Sequence, residues 1–185
     1  GIELEVGIGS AVSNNVITGT VQGLRITASS KNVVVNTLIV ETTAVGLFVG
    51  ANSNYNTITN TVLELCSSGI YVTGDNDVHT IGNVLNGGTI FDNTNLAGVL
   101  FTNGNYNEIT GFTFFSVASQ AIDTDGTKNL VVSNNKLHSS GSGDGIRLID
   151  SSNCMIVNNF VADSKVIREL GTSDYNIITE NEGAD

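Results

Sequence analysis

The sequence predicts an all-β solenoid: a stack of short coils whose parallel strands lie one above the next. Three observations carry that prediction. A Gly-apolar-x-apolar phrase returns along the chain at nearly constant spacing. An Asn-x-apolar phrase keeps step with it. Proline is absent, and no segment of helical length shows helical periodicity.

The first phrase begins at Gly1-Ile2-Glu3-Leu4 and returns as Gly23-Leu24-Arg25-Ile26, Gly46-Leu47-Phe48-Val49, Gly69-Ile70-Tyr71-Val72 and Gly98-Val99-Leu100-Phe101. It continues as Ala121-Ile122-Asp123-Thr124, Gly145-Ile146-Arg147-Leu148 and Val166-Ile167-Arg168-Glu169. The intervals are 22, 23, 23, 29, 23, 24 and 21, so one unit carries an insertion of about six residues, expected within 84–96. The second phrase begins at Asn15, Asn32, Asn56, His79, Asn107, Asn129, Asn153 and Asn176. It sets Ile17, Val34, Ile58, Ile81, Ile109, Val131, Met155 and Ile178 in an apolar column expected to face the core. A fainter third run follows at 38–40, 62–65, 112–115, Leu137 and 160–161.

Each unit is therefore expected to hold three short strands, giving about eight coils of ~23 residues. A lone coil buries too little apolar surface to offset the entropy of ordering its backbone, so stacking must hold it. Asn suits the corners. It tolerates left-handed backbone, and its amide both donates and accepts, so stacked amides can bond along the axis. His79 is read as a corner variant, and His138 has no assigned role.

Of the 185 residues 40% are hydrophobic and 14% charged, with a net charge of −11 and a pI near 4.3. Seven Lys and Arg are too few for a nucleic-acid footprint, and the acidity disfavours anionic membrane surfaces. No apolar run approaches a membrane span. Cys66 and Cys154 lie in or beside apolar runs and read as buried free thiols. No basic, hydrophobic leader opens the chain, which begins directly on a strand pattern. Residues 1–185 are expected to form one solenoid domain belonging to a longer chain.

The segments "NTITN", "NEITG", "NLVVSNN" and "NCMIVNN", recurring in step with "SGIYV" and "DGIRL", resemble the right-handed parallel β-helix superfamily, the pectate-lyase-like fold. The resemblance covers nearly the whole chain and specifies the fold more than the chemistry. Its members include secreted polysaccharide lyases and hydrolases, uronan epimerases, bacteriophage tailspikes and adhesins. It implies a polysaccharide partner, an extracellular or virion-surface location and, in the tailspike-like case, a homotrimer. The chain lacks a repeated Asp-Asp pair followed by Gly-His-Gly and Arg-x-Lys, and it lacks the Asp-Pro-His phrase of the uronan epimerases.

Alternate residues of a strand face outward. On the Gly phrase the first outward column is Glu3, Arg25, Phe48, Tyr71, Leu100, Asp123, Arg147 and Arg168. The second is Glu5, Thr27, Gly50, Thr73, Thr102, Asp125, Ile149 and Leu170. Phe48, Tyr71 and Leu100 make an apolar strip that suits the faces of sugar rings, or burial under a loop or a second subunit. Arg25, Asp123, Arg147 and Arg168 flank it as hydroxyl-bonding groups. Asp123 and Asp125 lie two residues apart on one face, with Cα atoms expected roughly 6.5–7 Å apart. That separation admits either glycosidase geometry, and Arg147 would supply the inequality in pKa that an acid–base pair needs. The pectate-lyase resemblance implies another chemistry, an Arg base for β-elimination with Ca²⁺ held by aspartates. The same cluster also reads as an ionic ladder neutralising a stacked column.

The segments "NSNYN", "GDNDV", "NGNYN" and "SSGSGDGIRLID" read as turns, with Asp144 a turn residue. Their oxygens are of the kind that hold Ca²⁺, but the nine-residue Gly-Asp calcium repeat is absent, so no metal or cofactor is expected. Val33, Val35, Leu130, Val132, Ile156 and Ile177 are expected on the outer side of the Asn strand, covered by a homotrimer or a neighbouring segment. The leading expectation is a carbohydrate-contacting surface or virion module. The alternatives are a polysaccharide lyase or glycoside hydrolase using Asp123 and Asp125, and a structural stalk without a ligand.

Overall fold

A glycine heads most rungs of the first sheet because the chain there runs hard against the neighbouring coil. A side chain on Gly98 would stand 2.7 Å from Phe114 Cδ1 and 2.8 Å from the Ala121 carbonyl oxygen. The computed structural model describes residues 1–5, 7–75, 80–138, 143–162 and 166–183. Among them every regular element is a strand.

Strands Ile2–Glu5, Leu24–Thr27, Val45–Val49, Ser68–Thr73, Val99–Thr102, Ile122–Asp125, Ile146–Ile149 and Ile167–Leu170 stack in that order as one parallel sheet. Position by position, Ile2, Leu24, Leu47, Ile70, Val99, Ile122, Ile146 and Ile167 form a single column. Its members from Leu24 to Ile146 are fully buried. This register is the one the Gly phrase predicts, across the long interval included.

Of the remaining strands, twelve make a second parallel sheet, and Thr80–Ile81 and Gly104–Asn105 pair as a two-stranded one. In the middle coils the twelve-stranded sheet runs unbroken from the second face into the third, as Thr57–Glu64, Val84–Phe91 and Glu108–Phe115. Each of these strands turns its corner at a left-handed residue: Asn60, Gly87 and Gly111. The second-face column is Val12, Val34, Ile58, Leu85, Ile109, Val132, Ile156 and Ile178, buried from Val12 to Ile156 and exposed at Ile178. The third is Ile17, Ile39, Leu63, Ile90, Phe114, Leu137 and Val161.

The second face corrects the sequence reading in four coils. Ile17 belongs to the third face, and Leu85 replaces Ile81 as the core residue. Val132 and Ile156 point inward where Val131 and Met155 were expected, and Met155 is exposed. Leu130, Val132 and Ile156, expected on the outer side, are core. The runs Leu130-Val131-Val132 and Met155-Ile156-Val157 are apolar on both parities. A one-residue slip therefore costs the pattern nothing while turning every side chain over. The insertion also moves. Ile70 to Leu85 spans 15 positions against 11 from Leu47 to Ile58, so most of the extra length precedes Leu85. His79 lies outside the described residues; Asn83 holds the rung assigned to it.

Two kinds of corner asparagine explain the misreading. One kind is left-handed, as at Asn36, Asn60, Asn129, Asn134, Asn153 and Asn158. The other is the ladder itself. Asn32 Nδ2 donates to Asn56 Oδ1 at 2.9 Å, Asn56 to Asn83 at 2.9 Å and Asn83 to Asn107 at 3.1 Å. The same three oxygens accept the backbone N–H of the rung before, each at 2.9 Å. A second ladder, Asn135–Asn159–Asn181, serves the next corner of the later coils.

Asn56→Ala is expected to lower stability by about 3 kcal/mol, because it leaves the buried Asn32 amide and backbone N–H without their acceptor. Asn15→Ala, which loses one local bond to the Ser13 carbonyl, is expected to cost under about 1 kcal/mol. Chemical denaturation followed by far-UV circular dichroism measures both; equal losses would show that the ladder does not hold the corner.

Candidate functional site

The first sheet turns one face to the core and the other to solvent, so its first outward column is a continuous surface. At one end Arg25 Nη1 lies 3.5 Å from Glu3 Oε1, and Arg25 Nε donates to Thr27 Oγ1 at 3.0 Å. Its guanidinium stands 5.6 Å from the centre of the Phe48 ring, a cation–π distance. Phe48 meets Tyr71 edge to face, with ring centres 5.6 Å apart and planes at 80°. Thr102 Oγ1 donates to Thr73 Oγ1 at 2.8 Å and lies 3.4 Å from the Tyr71 hydroxyl. Leu100 pairs with Tyr71 on one side and Asp123 on the other. Phe48, Tyr71 and Leu100 are all half-buried, so the strip is set into the surface.

At the other end Arg147 grips Asp123 with two bonds, Nε to Oδ1 at 2.9 Å and Nη2 to Oδ2 at 2.6 Å. Asp123 is only 9% exposed. That bidentate bond, with the nearby negative charges of Asp123, Asp144 and Asp125, pushes the Arg147 pKa up against its partial burial. The pair is thus a fixed donor–acceptor unit, with Arg147 cationic at any ordinary pH. Asp125, two residues along the same strand, is exposed and joins no ion pair among the described residues. Arg168 pairs with Arg147 in the sheet register but turns to Asp144, at 3.1 Å.

The structure therefore brings Arg25, Phe48, Tyr71, Leu100, Asp123, Arg147 and Arg168 into one line, in sequence order. The sequence reading missed the partner roles of Asp144 and of the Thr73–Thr102 pair. Both signals were present, the one in a turn and the other in the second outward column. All three arginines of the chain lie in this column, and each faces a carboxylate. Such a surface offers paired donors and acceptors around an aromatic strip.

The family profile described as "Periplasmic copper-binding protein (NosD)" matches residues 1–171. The chain belongs to the NosD family. No curated protein matches it by sequence. Among solved structures it is similar to an alginate lyase from Paenibacillus sp. str. FPU-7, at 13% identity and a TM-score of 0.68, over 95% of this chain and 74% of that one. It is also similar to the A-module of the mannuronan C-5 epimerase AlgE6 of Azotobacter vinelandii, at 14% identity and a TM-score of 0.77, over 95% and 55%. The periplasmic alginate epimerase AlgG aligns at 15% identity and a TM-score of 0.73, over 88% of this chain and 38% of that one. These likenesses establish the right-handed parallel β-helix.

The described residues do not fit the copper centre that the NosD name implies. Copper sites draw on imidazole, thiolate and thioether ligands that converge. Here Cys66 and Cys154 are buried four coils apart, each with its sulfur against backbone carbonyls. His138 is stacked on Phe115, ring centres 5.2 Å apart, with Phe160 5.4 Å away on the next rung. Met155 points outward. Among the described residues no three His, Cys, Asp or Glu are grouped to hold a metal ion.

Burial pushes both thiols above their ordinary pKa, so the fold favours the neutral form. That contribution to stability is present below the free-thiol pKa and is lost as pH rises beyond it. A disulfide reagent at pH 8 is expected to label neither cysteine in the native protein and both in denaturant. Rapid native labelling, followed by absorbance, would contradict this packing.

Proposed function

We propose that this NosD-family β-helix contacts a polysaccharide through the first outward column, from Arg25 through Phe48, Tyr71 and Leu100 to Asp123, Arg147 and Arg168. One observation carries the reading. A cation–π and edge-to-face aromatic pair is continuous with a bidentate Arg–Asp pair along a single axial line. Half-buried rings pack against the apolar faces of sugars, and paired Arg and carboxylate groups exchange hydrogen bonds with hydroxyls. The names of the similar structures, alginate lyase and alginate and mannuronan epimerases, support the same substrate class. The periplasmic descriptions of the family and of one epimerase support an exported location.

Binding is favoured over turnover at this site. A catalytic carboxylate needs a free oxygen for the reacting group, and both Asp123 oxygens are engaged by Arg147. Asp125 supports the second reading, a lyase or hydrolase, because it stands open on the same face. The tailspike-like version, a homotrimer on a virion, loses part of its basis. Three of the six apolar residues expected to face a partner are core, leaving Val33, Val35 and Ile177.

Phe48→Ala with Tyr71→Ala is expected to weaken binding of oligosaccharides at least about tenfold while leaving the far-UV spectrum unchanged. Calorimetry against neutral and acidic oligosaccharides measures this. Unchanged affinity would remove the column from the binding surface. Release of unsaturated uronates or reducing ends, abolished by Asp125→Asn, would establish the enzymatic reading.

A further inference from the structure

We infer a second saccharide contact, specific for an acidic chain, along the ridge where the first sheet turns into the second. This inference rests on the polysaccharide reading above but uses different residues. Lys31, Tyr55, Gly82, Tyr106 and Asn129 occupy one corner position in successive coils, all with left-handed backbone, φ between 52° and 67°. Backbone hydrogen bonds fix the column: Lys31 N–H to Asn54 O at 2.9 Å, Tyr55 N–H to Ile81 O at 2.9 Å and Gly82 N–H to Asn105 O at 3.1 Å. Tyr106 N–H continues it to Lys128 O at 3.1 Å. The ridge spans roughly 19 Å along the axis, with the two tyrosines roughly 10 Å apart.

The residue choice is the signal. Left-handed backbone is cheap for glycine and asparagine and expensive for a bulky side chain. The column itself supplies the cheap residues at Gly9, Gly82, Asn129 and Asn153. Yet three of the chain's four tyrosines sit in this column, Tyr55, Tyr106 and Tyr175, with φ of 56°, 54° and 54°. Core packing does not repay the strain, because the three residues are 59%, 64% and 80% exposed. Strained backbone carrying an exposed aromatic ring points to a ligand. The Tyr55 ring is also held in place. It lies against Gly82, where any side chain would stand 2.7 Å from Tyr55 Cδ1.

Charge gives the class of ligand. The column's arginines on the first sheet are each matched by a carboxylate. Lys31 and Lys128, at the two ends of the Tyr55–Tyr106 stretch, are exposed and join no ion pair among the described residues. Glu108 follows Tyr106 by two residues, Asp125 precedes Lys128 by three, and Asp174 adjoins Tyr175 at the far end of the column. In a chain of net charge −11, two unmatched lysines flanking two exposed rings suit a sugar chain that carries carboxylates, a uronan. The flat rings take the sugar faces and the ammonium groups take the carboxylates. The roughly 10 Å between rings spans a disaccharide unit of an extended chain.

The test titrates the protein with oligomannuronate and, as a neutral control, a cello-oligosaccharide. Tyr55→Asn with Tyr106→Asn keeps a side chain the column already uses, so the melting temperature should stay level or rise by about a few degrees. Oligomannuronate affinity should fall about tenfold. Lys31→Gln with Lys128→Gln should weaken oligomannuronate, reduce the salt dependence of its binding and leave the neutral control unchanged. Wild-type affinity in both ridge variants, with loss only in Phe48→Ala/Tyr71→Ala, would overturn the ridge and leave the first-sheet reading standing. Binding of the neutral oligosaccharide alone would overturn the acidic class. Wild-type protein that binds neither oligosaccharide would overturn both readings.

Discussion

Hydrogen-bonded stacking of each coil on the next is the constraint from which the rest of the structure follows. A coil of this length cannot bury its own backbone polar groups, so each strand borrows partners from the coils on either side. At the turn between the first and second faces, one backbone N–H in each of the coils from Asn32 to Asn83 is left without a backbone carbonyl on the next coil. Buried asparagine takes over there, its oxygen accepting both the amide and the backbone N–H of the preceding rung. Proline has no place in such a stack, and bulky residues can stand at left-handed corners only at a cost.

Register turns linear sequence into surfaces. Residues separated by one coil become neighbours, so a line of side chains along the axis is the natural binding unit. Two such lines differ in character here. On the first sheet every arginine is matched with a carboxylate around half-buried aromatics, which gives a surface rich in both donors and acceptors. On the adjoining ridge the rings are open and the lysines unmatched. One surface suits hydroxyls and the other suits carboxylates. Neither has the convergent soft ligands that copper needs, so this member carries the NosD fold without a copper set among its described residues.

The first sheet was legible in the sequence because two signals coincide there, a glycine that close approach requires and a strict alternation after it. Columns such as Phe48–Tyr71–Leu100 were read correctly even across the 29-residue interval. The second face was less legible because asparagine plays two parts, left-handed hinge at Asn129 and Asn153 and ladder rung at Asn32 and Asn107. Runs such as Leu130-Val131-Val132 gave no parity to separate them. The Asp123–Arg147 pairing followed from register, whereas its bidentate geometry and the turn of Arg168 to Asp144 depend on side-chain torsions that no repeat encodes. The tyrosine ridge was hidden inside segments whose composition says only that the chain turns.

Position across the irregular coil tests the stacking most directly. Register sets Leu100 beside Tyr71, whereas the ordinary interval would set Thr94 there. Cysteines at 71 and 100 would have Cα atoms roughly 4.8 Å apart, within reach of a disulfide. Mild oxidation of Tyr71→Cys/Leu100→Cys should give an intramolecular crosslink, seen by mass spectrometry, and Tyr71→Cys/Thr94→Cys should give none. A crosslink at 94 and none at 100 would contradict the register and, with it, both surfaces.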